Sequence, residues 1–351
     1  MLFVYDRMES KRITITKLAD QLKLSPSTVS RALHDHPGIG KDTCRRVQKL
    51  AAELGYFPNS IASNLRRKKT NLIGVLVPRI DRHFHSYVIS GIEETANKAG
   101  YYVAIFQSKD SYHKEVENVR VLLSNRADGV IGCLALETKK YDHFLRFNDN
   151  NIPLVFYDRV PSEVESSKVL IDDYNAAFKA CSHLISTGCK RIAHIAGNQN
   201  LTVYRQRLEG YKAALQNNNI ETDNNLICYT NNLNREEGRE FATRLLSLPD
   251  PPDGLFCAND NTAISAIQVA KEKTLNIPGD LSVIGFSNSP ASTIIEPSLT
   301  TIDDHAFEMG QSAARLLIRQ IENKDKNVVS ETVVIRNDLI LRESTKKKIS
   351  G

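Results

Sequence analysis

The chain has 351 residues, 41% of them apolar, and a net charge of +5, so it is too long for one small core and rich enough in apolar side chains to bury two or three. The charge is uneven: residues 1–70 carry 14 Lys/Arg against 6 Asp/Glu, or +8, and the rest carry 32 against 35, or −3. A basic head before a slightly acidic body suits contact with a polyanion, and no window holds the ~18 uncharged apolar residues of a membrane span.

The six cysteines, Cys44, Cys133, Cys181, Cys189, Cys228 and Cys257, are scattered without a C-x-x-C pair. That pattern fits reduced, mostly buried thiols in a cytoplasmic protein. His34 and His36, like His83 and His85, stand two apart in expected loops with no second ligand pair, so no metal site is expected. Residues 1–12 read as a flexible tail. Their apolar run is too short and wrongly flanked for a secretory signal, and Met8 stands as an alternative start.

Residues 13–33 read as two short helices around a tight turn. In the first, Ile15, Leu18, Ala19 and Leu22 recur at helical spacing behind the N-cap candidate Thr14. In the second, Ser25 is the N-cap candidate, Pro26 fits the first helical position, and Val29, Ala32 and Leu33 supply the inward face. Ser27, Thr28, Ser30 and Arg31 are left on the outward face, where a recognition helix presents hydroxyls and a forked cation to DNA. An ordinary helical hairpin has the same pattern. A third helix follows over about Lys41 to Leu54, with Cys44, Val47, Leu50, Ala51 and Leu54 inward and Gly55 as terminator. Residues 60–69 end in four consecutive cations, Arg66 to Lys69. They make barely two helical turns, marginal without a partner, and read either as a hinge that folds on DNA or as a solvated linker.

Residues 13–66 resemble the DNA-binding head of the LacI/GalR family of bacterial transcription regulators. The matching blocks are Ile15-Thr16-Lys17-Leu18-Ala19, the run Ser25-Pro26-Ser27-Thr28-Val29-Ser30-Arg31-Ala32-Leu33, and Gly55-Tyr56-Phe57-Pro58-Asn59. The resemblance implies a homodimer on a palindromic double-stranded operator, with a helix-turn-helix domain at 13–57 and a hinge helix and linker at 58–70. It places Pro26, Ser27 and Arg31 at base-reading positions within a Ser25, Pro26, Ser27, Thr28 and Arg31 surface. Asn59 and Ala62 become hinge contacts beside Arg66, and Leu65 becomes the wedge that unstacks the central base step. Two departures stand out. Pro26 brings no polar side chain to base reading, and Lys23 replaces the usual turn glycine. Lys23 implies either roughly 1 kcal/mol of left-handed strain or a different turn.

From residue 71 short apolar runs alternate with amphipathic helices. Strand candidates are Leu72 to Val77, Tyr102 to Phe106, Gly129 to Cys133, Leu154 to Tyr157, Ile192 to Ala196, Leu226 to Tyr229, Gly254 to Cys257 and Ser282 to Phe286. Expected helices run over roughly Ser86 to Ala99, Lys114 to Asn125, Asn175 to Thr187, Arg205 to Asn217, Arg235 to Leu246 and Asp260 to Lys273. Two sets of about four strand–helix units predict two parallel sheets covered by helices, with a ligand beyond the carboxyl ends of the strands.

This part also resembles the family, whose core is similar to a periplasmic sugar-binding protein. The matching segments include Arg191 to Gly197, Arg207-Leu208-Glu209-Gly210-Tyr211, Ala258-Asn259-Asp260, Val283 to Phe286 and Pro297 to Ile302. The resemblance implies a bilobed effector-binding and dimerisation domain over 71–345 with lobe crossings near residues 170, 302 and 330, then a basic tail at 346–351. Strand ends and family positions together nominate Phe84, His85, Asp158, Arg207, Leu233, Asn259 and Ser287 for a small carbohydrate-like effector. Plainer roles exist: Asp158 paired with Arg159, Asn259 as an N-cap, Phe84 as packing. Ser287 stands where many sugar-responsive members have Asp, and Leu233 where relatives often present an aromatic, which leaves room for a more acidic ligand or a different pose.

The combined expectation is a cytoplasmic, ligand-responsive DNA-binding regulator, a repressor, without cofactor. The alternative is a constitutive or protein-partnered DNA binder with a vestigial cleft. No P-loop, G-x-G-x-x-G after a strand, or nucleophile elbow supports an enzyme. The C-terminus lacks leucine heptads, so no coiled-coil tetramer is expected.

Overall fold

The computed structural model describes residues 13–56, 69–161, 163–323 and 329–346. Asn59, Ala62, Leu65 and Arg66, and with them the expected hinge helix, lie outside the described residues. The chain divides into two units, Met1–Thr70 and Asn71–Gly351.

The first unit contains α1 (Ile15–Leu22), α2 (Pro26–Leu33) and α3 (Lys41–Glu53). Thr14 Oγ1 accepts from Lys17 N–H at 3.3 Å and Ser25 Oγ from Thr28 N–H at 3.1 Å, so both short helices start on side-chain caps. Leu18, Ala19, Val29, Ala32, Cys44, Val47 and Ala51 close one small core. Lys23 takes the left-handed conformation at φ 56°, and Leu24 N–H closes the turn on Ala19 O at 2.9 Å. The strained alternative for this turn is therefore the one adopted. Gly55 ends α3 at φ +61°, a conformation that favours glycine.

The second unit holds two sheets. The first lobe runs through β1 (Leu72–Val77), α4 (His83–Lys98), β2 (Tyr102–Gln107), α5 (Tyr112–Ser124), β3 (Gly129–Gly132), α6 (Asp142–Asp149), β4 (Leu154–Tyr157) and β5 (Ser167–Ile171). The second runs through α7 (Asp173–Ser186), β6 (Ile192–Ala196), α8 (Thr202–Asn217), β7 (Ile227–Tyr229), α9 (Arg235–Leu245), β8 (Gly254–Cys257), α10 (Asp260–Glu272), β9 (Ser282–Phe286), α11 (Ala291–Ile294) and β10 (Thr300–Asp303). The chain then returns through α12 (Ala306–Glu322) and β11 (Thr332–Ile335) to the first lobe, and ends with β12 (Asp338–Ile340) in the second.

The sheet orders are β11-β5-β4-β3-β1-β2, all parallel, and β12-β10-β9-β8-β6-β7, parallel except β12 against β10. Each sheet thus has six strands rather than about four, and the added strands β5, β10, β11 and β12 border the crossings. His83 and His85 lie in the first turn of α4, not in a loop. Several helices begin earlier than expected, α4 at His83 and α8 at Thr202, since their first turns carry polar residues that dilute the apolar period. The helices α4 and α12 cross at glycines. A Cβ on Gly91 would sit 2.1 Å from Phe307 O, and one on Gly310 would sit 2.0 Å from Val88 O.

The chain passes between lobes at Asp172, at Asp304–His305 and at Arg336–Asn337. The third passage comes later than the expected residue 330, because β11 still pairs with β5 in the first sheet. Asn337 Nδ2 donates to Asp172 O at 3.1 Å, and His305 Nε2 lies 3.0 Å from Asp338 Oδ2, so the three passages are tied to one another.

Candidate nucleic-acid interface and effector cleft

The head presents its polar residues at the start of α2. Ser25 Oγ lies 2.8 Å from Ser27 Oγ and 2.8 Å from Thr28 Oγ1, so these hydroxyls are ordered by the cap rather than left to rotate. Pro26 and Ser27 are exposed, and Arg31 is exposed one turn further along the face of Ser27. Sequence reasoning overlooked Gln48, whose Nε2 donates to Asp35 Oδ1 at 2.9 Å and fastens α3 to the loop after α2. His34 Nδ1 meets Ser30 O at 2.8 Å and His36 Nδ1 accepts from Gly38 N–H at 3.0 Å, which occupies both rings locally. Among the described residues no group of three or more His, Cys, Asp or Glu is placed to hold a metal ion.

In the second unit the strand ends of both sheets bring together residues far apart in sequence. The Arg207 guanidinium is buried: Nε donates to Asp173 Oδ1 at 2.7 Å, Nη1 to Ala258 O at 2.7 Å, and Cζ sits 3.5 Å over the Phe286 ring. Burial pushes the Asp173 carboxyl up to about 6, with Arg207 pulling against it. Arg207 therefore does not offer an unmatched positive charge.

Asp158 follows β4 at φ 56°, with Cys133 Sγ donating to its Oδ2 at 3.8 Å and Arg159 Nε at 4.0 Å. Burial raises its carboxyl, while Arg159 and Arg207 lower it. Arg159 itself is held by Asp110 at 2.7 Å, so the plainer pairing of Asp158 with Arg159 is only a loose contact. The Arg159 Nε–H is buried without a hydrogen-bond partner among the described residues.

One wall is aromatic. Phe84 is half-buried, 5.1 Å from the His85 ring and 6.4 Å from Tyr157 between centroids. His85 is buried with Nδ1 3.2 Å from Tyr157 Oη, and burial together with Arg159 and Arg82 holds its imidazole neutral, well below the usual histidine range.

Ser287 follows β9 at φ 97°, its N–H donating to Ile302 O at 2.8 Å. Beside it, burial pushes the carboxyl of the buried Asp304 up to about 7, against the pull of Ser287 and Arg207. A carboxylate does stand behind position 287, but it comes from the second lobe crossing. Asn259 N-caps α10 by accepting from Thr262 N–H at 2.9 Å, and its Nδ2 donates to Leu233 O at 2.9 Å. The Leu233 side chain is buried at φ 49°, so it brings its carbonyl, rather than a ring-like platform, to this region.

Of the seven sequence nominees, Asp158 and Ser287 directly follow strands, Asn259 comes two residues after β8 and Leu233 four residues after β7, whereas Phe84 and His85 lie in the first turn of α4 and Arg207 lies within α8 rather than opening it. Tyr157, Arg159, Asp173, Asp304 and Phe286 were missed. Tyr157 and Arg159 flank Asp158, and Asp304 follows a strand, so the strand-end rule would have reached them had β10 been recognised.

Comparison with known proteins gives consistent results. Residues 14–59 match the family profile "Bacterial regulatory proteins, lacI family", and residues 181–345 match "Periplasmic binding protein-like domain". The HTH-type transcriptional repressor CytR of Escherichia coli strain K12 is 34% identical over 333 residues, spanning 95% of this chain and 96% of the relative. Among solved structures, the transcriptional regulator CelR–cellobiose complex aligns with TM-score 0.71 and 27% identity over 95% of this chain and 100% of its own. The lac repressor dimer bound to operator and the anti-inducer ONPF aligns with TM-score 0.84 and 23% identity over 96% and 100%, a likeness of fold.

Proposed function

Because the chain belongs to the lacI family of bacterial regulatory proteins, we propose that it is a cytoplasmic repressor that binds a palindromic operator as a homodimer under the control of a small carbohydrate-like effector. The relatives are transcriptional regulators rather than enzymes, and the fold supplies the two parts that such control needs. On this reading Pro26, Ser27 and Arg31 face the bases in the major groove, with readout resting on Ser27 and Arg31, Ser25 and Thr28 complete the surface of the helix start, and Asn59, Ala62, Leu65 and Arg66 serve the minor groove. Outer-edge strands support dimerisation: Tyr102 and Ile105 on β2 and Tyr229 on β7 are large apolar side chains left exposed.

The single observation that carries the effector reading is the buried polar cluster of Arg207, Asp173, Asp158 and Asp304 beside Phe84 and Tyr157. Here Arg207 is paired with Asp173 and the neighbouring Arg159 with Asp110, while Asp158 and Asp304 add further carboxyl oxygens. That balance favours a neutral, hydroxyl-rich ligand stacked on an aromatic edge over a sugar phosphate or uronate, and cellobiose in the CelR complex is such a ligand. The ligand works only through its different affinity for the two lobe arrangements. Thermal melting against neutral sugars, nucleosides, sugar phosphates and uronates tests this class. A shift with a neutral compound supports it, and a shift confined to anionic compounds overturns it.

A further inference from the structure

Arg82 precedes α4 in the first lobe, yet its guanidinium reaches the second lobe. Nη1 donates to Leu233 O at 3.3 Å and Nη2 to Asn232 O at 3.1 Å. The segment it holds is constrained from its own side as well. Leu233 O also receives Asn259 Nδ2 at 2.9 Å, and the backbone N–H groups of Asn231 and Asn232 donate to the Glu237 carboxylate at 2.9 Å each. Leu233 sits at φ 49° with its side chain buried, a conformation that persists only where the surroundings hold it. A carbonyl already accepting from an amide and then from a cation has both lone pairs engaged, and the cation comes from the opposite lobe.

We propose that Arg82 is a positioning residue that fastens the lobes at the mouth of the cleft and sets the 230–234 segment before any ligand enters. This rests on the reading that the cleft takes the effector. Both bonds are made between protein groups, so they favour the lobe arrangement in which Arg82 reaches the 230–234 segment, and a ligand that prefers that arrangement has less of the lobe movement to bring about. Removing Arg82 leaves the Asn259 and Glu237 contacts in place within the second lobe. The expected change is a looser 230–234 segment and a shift toward the open arrangement, not a loss of fold.

The test uses the full-length chain and the variants Arg82→Ala and Arg82→Lys. Hydrogen exchange followed on peptides covering residues 228–236 is expected to speed up about tenfold in Arg82→Ala, the scale of a lost charge-assisted hydrogen bond, and by less in Arg82→Lys, which keeps one donor. Exchange elsewhere in the second lobe should match the parent. Unchanged exchange in Arg82→Ala overturns the proposal, and so does a general acceleration across the lobe, which marks a fold defect. Operator binding of the same proteins, with DNA obtained by selection from random sequence, separates the two readings. A loosened segment with altered operator affinity supports both. A loosened segment with unaltered affinity upholds Arg82 as the fastener and removes control of DNA binding by the lobes.

Discussion

The two units use polar side chains in opposite ways. In the head, Ser27 and Arg31 stand exposed on a helix whose first turn is closed by Ser25, so their partners are met in water at little cost to the fold. In the body, Arg207, Asp173 and Asp304 are buried, and their desolvation must be offset by one another whether or not a ligand is present. An exposed polar side chain is cheap to change, and its ionic contacts are tuned by salt. A buried one is coupled to stability, so its substitution is felt before any ligand is added.

The sharpest way to break this contrast is Arg207→Ala, which leaves Asp173 buried without its cation. The body is expected to lose about 3–5 kcal/mol, seen as a lowered melting transition, together with any ligand response. A parent-like melting temperature would put Arg207 in the exposed class. Asp304→Asn sharpens the contrast through pH. A carboxyl raised from 3.8 to about 7 by burial holds its proton more tightly in the folded state, so its contribution to stability is greatest at low pH and is lost as pH rises through that window. The substitution should stabilise the body by up to about 4 kcal/mol at pH 8 and by little near pH 4, with a flatter melting curve against pH as the readout.

In the head the effects are smaller and fall on recognition. Arg31→Ala is expected to reduce the preference for operator over random DNA by about 1–3 kcal/mol at fixed salt, without a change in folding. Lys23→Gly relieves the left-handed residue in the turn and should stabilise the head by at most about 1 kcal/mol, seen as a raised melting temperature. A drop would show that the lysine side chain contributes more than the backbone strain costs.

The same contrast decided what the sequence could reveal. The head helices are local objects, marked by Thr14, Ser25, Pro26 and Gly55 within a few residues of their ends, and the left-handed turn at Lys23 is one of the two alternatives open in the sequence. The central strands were equally plain, as continuous apolar runs buried on both faces. Strands β5, β10, β11 and β12 were not recognised, although they are as long as recognised strands such as β3 and β7. The apolar runs Val333-Val334-Ile335 of β11 and Leu339-Ile340 of β12 are only partly buried, with Val334 exposed, and their pairing is set by partners far away in sequence. The long helix α12 went unassigned despite its inward Ala313, Ala314, Leu316 and Leu317. Candidate residues were legible where a strand end marked them, as with Asp158 after β4 and Ser287 after β9. Asp173 was hidden because only the fold brings it to Arg207, and Asp304 because its strand was not seen.

Everything functional converges on one expectation, that a small molecule between the lobes alters the grip of the head on DNA. The direct measurement is operator affinity of the full-length protein at fixed salt, since phosphate contacts make affinity steeply salt-dependent, across a panel of neutral sugars, nucleosides, sugar phosphates and uronates. A change in affinity caused by a neutral, hydroxyl-rich compound, and lost in Arg207→Ala, is the expected result. Strong sequence-specific binding that no compound in the panel alters would contradict it and make the protein a constitutive or protein-partnered regulator.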